Sequence, residues 1–217
     1  PDRYRIVPTR VFEDDDEPRP YVIFGAFNIH TSAFWGSRVE MYIIAEDTET
    51  GMLSWIIADY ETNTLSFDPG QGFVDPTTRT STVTTTHRGA VICDMAAKER
   101  DRRIAVEADV RQGVETPLDP RLWIEGNLSI DYGHELAAGP PQPFGLLFDP
   151  AEMERALRIP LQATTIDELS WHPGLFAAQP AQVAVFPYAQ HFVTSGIPRP
   201  TGYRDADDLE QAVEAFN

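Results

Sequence analysis

A carboxylate lies beside a large aromatic residue in the segment RLWIEGNLSIDYG, residues 121–133. Trp123, Glu125 and Asn127 occupy alternate positions there, and alternate residues of a β-strand point to the same face. In an enclosed pocket, lost solvation disfavours an ionised carboxylate, which suits proton transfer near neutral pH. We therefore expect Glu125 to act as a general acid or base, with Trp123 and Asn127 contacting a substrate.

A second segment, SRVEMYIIAE at residues 37–46, has a similar arrangement. Arg38, Glu40 and Tyr42 share one face of the predicted strand. Glu40 is the second candidate for the general acid or base, and Tyr42 is expected to donate a hydrogen bond to a substrate carbonyl. Arg38 is expected either to neutralise Glu40 or to hold a negative group of the ligand.

The neighbouring predicted strands are apolar on both faces. Residues 21–30 include Phe27 and residues 52–60 include Trp55, and neither segment alternates cleanly between apolar and polar positions. A sheet with one solvated face usually does alternate, so both sides of these strands are expected to be covered. Phe27 and Trp55 are therefore predicted to help line a pocket. The alternative is that the polar faces point into water and the aromatic rings pack on charged neighbours.

The elements that position these residues are mostly strands. Eight or nine β-rich segments precede any long helical pattern, and residues 37–46 and 52–60 form a predicted hairpin around a short turn containing glycine. This pattern predicts an all-β, β-dominated fold: an antiparallel β-barrel or a strongly curved double sheet. Short peripheral helices are predicted near residues 150–158 and 205–216, and a capping box predicts a helical turn at residues 165–168.

The predicted organisation is one domain with two tails. Residues 1–20 contain five consecutive acidic residues flanked by Pro8, Pro18 and Pro20, a composition that is typical of an extended, solvated arm. Residues 21–198 are expected to form a single β-barrel-like domain, and residues 199–217 a tail with a short helix. A homodimer is the default expectation for oligomeric state.

Charge and cysteine content exclude several functions. The chain of 217 residues has 17 basic and 34 acidic residues, a net charge of −17, which disfavours binding to nucleic acid or to an anionic membrane. The only cysteine, Cys93, permits no intrachain disulfide and is expected to be a buried apolar residue. No apolar run reaches the roughly 18 residues of a membrane span, and we expect a cytoplasmic location.

Several kinds of chemistry lack a sequence signature. The five histidines have no metal-ligand spacing, and no nucleophile elbow or phosphate-binding glycine loop is present. The only lysine, Lys98, lies in a charged turn, which argues against Schiff-base chemistry. We therefore expect neither a metal nor a cofactor.

These patterns favour a cofactor-independent enzyme that binds a hydrophobic small organic molecule in a β-barrel pocket. Its reaction would be acid–base chemistry of the isomerase, cyclase or lyase type. One alternative is a non-catalytic binding or carrier protein for an apolar ligand. The other is a structural or interaction protein whose strands serve only as a core.

Overall fold

The fold is taken from a computed structural model that describes residues 3–30, 35–49, 51–68, 72–125, 128–131, 147–148, 153–172, 179–187, 192–193, 207 and 211. Strands dominate these residues, and most of them pair antiparallel. The strands, in chain order, are β1 (Tyr4–Ile6), β2 (Val22–His30), β3 (Trp35–Asp47), β4 (Leu53–Thr62), β5 (Ser66–Asp68), β6 (Gly72–Val74), β7 (Thr78–Thr85), β8 (Ala90–Ala97), β9 (Arg103–Asp109), β10 (Val114–Pro117), β11 (Leu128–Asp131), β12 (Leu147–Phe148), β13 (Arg155–Arg158), β14 (Thr164–Leu169), β15 (Ala184–Val185) and β16 (Phe192–Val193).

The first sheet is built around β3. β1 and β2 pair with one edge of β3, and β4 pairs with the other edge through the predicted hairpin. A bulge in β4 opposite Met41 and Tyr42 shifts the register by one residue. β11 extends the sheet next to β4 and runs parallel to it, so the expected antiparallel meander holds for most of this sheet but not for β11.

The second sheet has the order β14–β9–β8–β7 and is antiparallel throughout. It packs face to face on the first sheet through a core cluster that includes Val39 and Met41 of β3, Cys93 and Met95 of β8, and the fully buried Trp171. The expected burial of Cys93 is thus confirmed. Burial raises the pKa of the Cys93 thiol to about 12, because desolvation disfavours the thiolate.

A third, small sheet of β10, β13 and β15 lies over the other face of β3 and β4. It shares a core cluster with residues from the start of the chain, among them Phe12, which is fully buried. The central strands β3 and β4 are therefore covered on both faces, as their apolar composition predicted. The same expectation is wrong for one face of β2, where Val22, Ala26, Asn28 and His30 are exposed. Two two-stranded ribbons, β5–β6 and β12–β16, complete the described strands. The described residues form no closed barrel.

The segment at residues 121–133 does not form the single strand that we expected. Arg121–Glu125 is a π-helical turn, and only Leu128–Asp131 is extended. The turn begins after Asp119, whose carboxylate accepts a hydrogen bond from the backbone N–H of Leu122 at 3.3 Å. An aspartate cap followed by a proline favours a helical start. This local signal outweighs the alternating pattern.

Two predicted helical segments are strands. Residues 155–158 form β13 between β10 and β15, and residues 164–169 form β14 at the edge of the second sheet. In both places, pairing with an existing strand outweighs the local capping signal, as tertiary context commonly does. Of residues 205–216, the structure describes Asp207 and Gln211, and both are helical.

The expectation of a solvated arm is wrong for the residues around the acidic run. Tyr4–Ile6 pairs with β3, and Val7, Val11 and Phe12 are buried. Most of the acidic residues themselves are exposed, as expected. In the described part of the chain, no helix is long and apolar enough to cross a membrane.

Candidate functional site

Arg38, Glu40 and Tyr42 form a buried ionic cluster on the face of β3 that is directed toward the third sheet. All three residues are less than a tenth exposed. Arg38 pairs with the Glu40 carboxylate, and the Tyr42 hydroxyl donates a hydrogen bond to that same carboxylate. The Arg38 guanidinium also lies 4.0 Å from the centre of the Tyr60 ring. The alternative in which this face points into water is therefore wrong for these residues.

The strand register explains why this cluster is closed. Glu40 lies between Gly25 of β2 and Tyr60 of β4. A β-carbon on Gly25 would lie 3.0 Å from Cε2 of Tyr42, so the glycine leaves room for the tyrosine ring. Tyr42 of the same strand and Tyr60 of β4 thus both contact the Arg38–Glu40 pair.

The predicted aromatic residues belong to a packed core. The rings of Tyr42 and Trp55, of Trp55 and Trp123, and of Trp123 and Phe186 meet edge to face, with centres 5.0–5.2 Å apart. The indole of Trp55 donates to the carbonyl of Leu122 at 2.9 Å, and the indole of Trp123 donates to the carbonyl of Val11 at 2.8 Å. Both polar groups therefore have protein partners, as buried indoles usually do.

Within the described part of the chain, none of the other predicted site residues is seen in this cluster. Phe27 is half-buried on β2 and pairs with Arg38 across the sheet. Glu125 ends the π-helical turn, and its side chain lies outside the described part. Asn127 lies outside the described residues altogether. The roles predicted for all these residues stay predictions.

A second ionic cluster, the Asp59 cluster, lies on the opposite face of β4 and consists of Asp59, Glu61, Arg102 and His172. Arg102 donates from Nε to Oε1 of Glu61 at 2.6 Å, and it also pairs with both carboxylate oxygens of Asp59. Nε2 of His172 lies 3.0 Å from Oδ2 of Asp59. The Arg102 guanidinium thus connects the two acidic residues of β4, and Asp59 also contacts the histidine.

The electrostatics of the Asp59 cluster follow from these contacts. Burial opposes ionisation of Asp59, but the hydrogen bonds from Arg102 and His172 outweigh it and hold the pKa of the carboxyl below its usual range. Burial likewise opposes the charge on Arg102, yet the pKa of its guanidinium is raised by Asp59 and Glu61. Both groups are therefore charged at neutral pH.

One atom of the cluster is left unsatisfied. Glu61 is only 2 % exposed, and within the described part of the chain its Oε2 has no hydrogen-bond donor. Leaving a buried acceptor without a partner costs about 1–3 kcal/mol, and more when the group is charged. Each such group in a native structure requires an explanation, and Glu61 lines the cleft described next.

The Asp59 cluster borders a cleft, the Asp59 cleft, with a volume of about 480 Å³. Asp59, Glu61 and Arg102 line it, together with residues of the turn that joins β8 to β9. The volume lies within the roughly 300–1,000 Å³ typical of small-molecule sites. The remaining charged residues of the lining carry both signs: Asp75, Lys98, Glu99 and Arg100.

His172 combines accessibility with an unusual backbone. Its side chain is 43 % exposed, although its partner Asp59 is largely buried. Its φ angle is +45°, a left-handed conformation that is uncommon for a residue with a β-carbon. The preceding residue, Trp171, is fully buried under the Arg102 guanidinium, 4.6 Å from the ring centre. This anchored tryptophan positions the histidine beside Asp59.

The Asp59 cluster was not predicted from the sequence, although a signal for it was present. Asp59 and Glu61 occupy alternate positions in β4, a strand expected to be covered on both sides. Two acidic residues on one covered face require a cation, and Arg102 follows β8 in the sequence without any local pattern that connects it to β4. Only the packing of the two sheets brings them together.

Metal binding finds no support in the described part of the chain, where no group of three or more histidine, cysteine or acidic side chains is arranged to hold an ion. Comparison with known proteins also gives no assignment, since no family model, curated protein or solved structure matches the chain.

Proposed function

We propose that the protein binds a small polar organic molecule in the Asp59 cleft and catalyses proton transfer on it, with His172 as the general acid or base. The single observation that carries this proposal is the contact of the exposed His172 with Asp59, which is itself one of the residues that line the cleft. A carboxylate that accepts a hydrogen bond from imidazole fixes the orientation and the tautomer of the ring, as a general acid or base requires.

The acid–base class is the one that the sequence favoured, but the residues and the ligand differ. Glu40 does not line this cleft, and its carboxylate is occupied by Arg38 and Tyr42. The lining of the Asp59 cleft is charged, so its ligand is polar. Lysine, arginine and acidic side chains around one cleft suit a molecule with a carboxylate and a nearby hydroxyl, carbonyl or amino group.

Solvent-proton exchange tests the proposal without knowledge of the natural substrate. The protein is incubated in D₂O with a panel of small hydroxy, keto and amino acids, and loss of their C–H signals is followed by ¹H NMR. We expect enzyme-dependent exchange for at least one compound. His172→Gln should reduce its rate by about 10²–10⁴-fold, the usual contribution of a general acid or base.

The matched control is His87→Gln, because His87 is also an exposed histidine but lies in the turn between β7 and β8. This variant should exchange protons at the rate of the unmodified protein. Equal losses in the two variants would contradict the role of His172. No exchange with any compound of the panel would contradict the proposed reaction.

Glu40→Gln distinguishes this proposal from the assignment based on the sequence. If Glu40→Gln loses proton exchange and His172→Gln retains it, Glu40 is the catalytic group. The Asp59 cluster then serves only to stabilise the fold.

A further inference from the structure

Trp35 is the most exposed of the large apolar residues in the described part of the chain, at 77 %. The other three tryptophans, Trp55, Trp123 and Trp171, all pack against aromatic rings in the core. Trp35 is the first residue of β3 and pairs with His30, the last residue of β2. A large exposed indole at the end of a strand offers a ring face to a ligand that has an apolar face of its own.

Trp35 borders an open groove of about 630 Å³, the Trp35 groove, between the β2–β3 hairpin and β7. The residues that line it carry hydroxyl, amide and imidazole groups beside a few apolar side chains. They are Asn28, Ile29, His30, Trp35, Gly36, Ser37, Asn63, Ser81, Thr82 and Val83. None of these lining residues is acidic or basic apart from the histidine, although the chain carries a net charge of −17.

The floor of the Trp35 groove is held in place by hydrogen bonds between strands. Asn28 donates to the carbonyl of Val83 at 3.0 Å and accepts from the Ser37 hydroxyl at 2.7 Å. Oδ1 of Asn63 accepts from the backbone N–H of Ser37 at 2.7 Å. A β-carbon on Gly36 would lie 2.2 Å from that Asn63 oxygen, so the glycine is required for this contact. The groove is therefore preorganised, which lowers the entropic cost of binding.

We propose that the Trp35 groove binds a neutral carbohydrate. The face of an aromatic ring carries partial negative charge and attracts positively polarised hydrogens, which the C–H groups on one face of a sugar ring provide. The hydroxyl and amide groups around the indole match the hydroxyl groups of the sugar edge. An uncharged lining excludes strong selection for phosphate, carboxylate or ammonium ligands.

Titration with neutral oligosaccharides tests this proposal. Cello-, xylo-, malto- and chito-hexaoses are added to ¹⁵N-labelled protein, and the four indole N–H signals are followed by NMR. We expect at least one sugar to shift the Trp35 signal saturably while leaving the other three unchanged. Trp35→Ala should weaken binding at least tenfold, and Trp35→Phe should weaken it less because a ring face remains.

Two further variants complete the test. Ile6→Ala removes another exposed apolar side chain, far from the groove in β1, and should bind the sugar unchanged. Thr82→Val keeps the shape of the side chain but removes its hydroxyl, and should weaken binding by about 3- to 10-fold, as loss of one net hydrogen bond does.

The proposal is overturned if no hexaose shifts the Trp35 signal, or if Trp35→Ala binds sugar as well as the unmodified protein. It is also overturned if Trp35→Ala abolishes a concentration-dependent self-association seen by analytical ultracentrifugation and leaves sugar binding intact, because the groove is then a contact between copies of the chain. His172→Gln should bind sugar normally. Sugar binding in the Trp35 groove and proton transfer in the Asp59 cleft are therefore tested independently.

Discussion

The two ionic clusters lie on opposite faces of the same pair of strands, yet their surroundings differ. In the cluster of Arg38, Glu40 and Tyr42, every charged group is buried, and two tyrosine rings contact the pair. In the Asp59 cluster, Asp59 and Arg102 are largely buried, but His172 reaches solvent and a cleft lies alongside. A closed cluster can only contribute to the fold, whereas an open cluster can also meet a ligand.

This difference shows why burial of a carboxylate is a poor guide to catalysis. The sequence pointed to Glu40 because aromatic residues share its strand face, and the structure does bury it. The same aromatic residues then fill the space that a substrate would need. A catalytic acid requires desolvation together with access, and access depends on where the sheet edges leave a gap.

The largest expected effect is that of Arg102→Met. This change leaves Asp59 and Glu61 buried without their shared cation, and breaking such a buried pair costs about 3–5 kcal/mol. Urea unfolding should show this loss in the free energy of unfolding. Arg103→Met is the matched control: it removes a more exposed partner of Asp94 at 2.7 Å, and solvent screening makes such a pair contribute far less to stability. Equal losses would mean that the Asp59 cluster is solvated.

Glu40→Gln is the corresponding test of the closed cluster. The amide still accepts a hydrogen bond but no longer neutralises Arg38, so we expect a loss of about 1–3 kcal/mol in the free energy of unfolding. Tyr42→Phe, which removes only the hydroxyl, should cost about 1 kcal/mol. A Glu40→Gln variant as stable as the unmodified protein would show that this carboxylate has no structural role, and Glu40 would again be a catalytic candidate.

The pH dependence of stability should come partly from Asp59. Because its folded-state pKa lies below its unfolded value, the ionised carboxylate stabilises the fold above about pH 4, and this contribution is lost as the pH falls through the folded-state pKa. Asp59→Asn should therefore be less stable than the unmodified protein at pH 7, and the difference should narrow below about pH 4. Urea unfolding at pH 7, 5, 4 and 3 measures it.

Asp94→Asn provides the control for the pH series. Asp94 also has a lowered pKa, caused by Arg103, but it is considerably more exposed than Asp59. Solvent screening makes such a pair contribute little, so the Asp94→Asn difference should be small at every pH. A difference for Asp59→Asn that stays constant from pH 7 to pH 3 would contradict the linkage to its titration.

Strand content and the central hairpin were predictable from the sequence because both depend on local patterns. β-branched residues predicted β7, and the glycine-containing turn predicted the pairing of β3 with β4. The pairing of Arg38 with Glu40 was also predictable, since both lie on one strand face. In each case, the residues that interact are close in sequence or related by a single turn.

The errors lie where distant segments compete with local signals. Residues 155–158 follow a proline with a preceding aspartate, a good helix start, yet two neighbouring strands capture them as β13. The Asp59 cluster joins β4 to a histidine 113 positions away in the chain. No spacing rule indicates such a contact, because it depends on how two sheets pack face to face.

The smallest expected effect comes from the backbone conformation of His172. Two variants distinguish the cost of backbone strain from the benefit of the contact with Asp59. At a φ angle of +45°, glycine avoids the steric cost that a β-carbon incurs, about 1 kcal/mol. His172→Gly also loses the exposed contact with Asp59, and the stabilisation that is lost is similar in size to the steric cost that is relieved. The two effects nearly cancel, so the free energy of unfolding of this variant should stay within about 0.5 kcal/mol of that of the unmodified protein. His172→Gln keeps the strain and should be the less stable variant by about 1 kcal/mol. A glycine variant less stable than the glutamine variant would contradict strain at this position. If the glycine variant keeps its stability but loses proton exchange, the strained histidine is retained for its chemistry. That chemical role is what distinguishes the open Asp59 cluster from the closed cluster of Arg38, Glu40 and Tyr42.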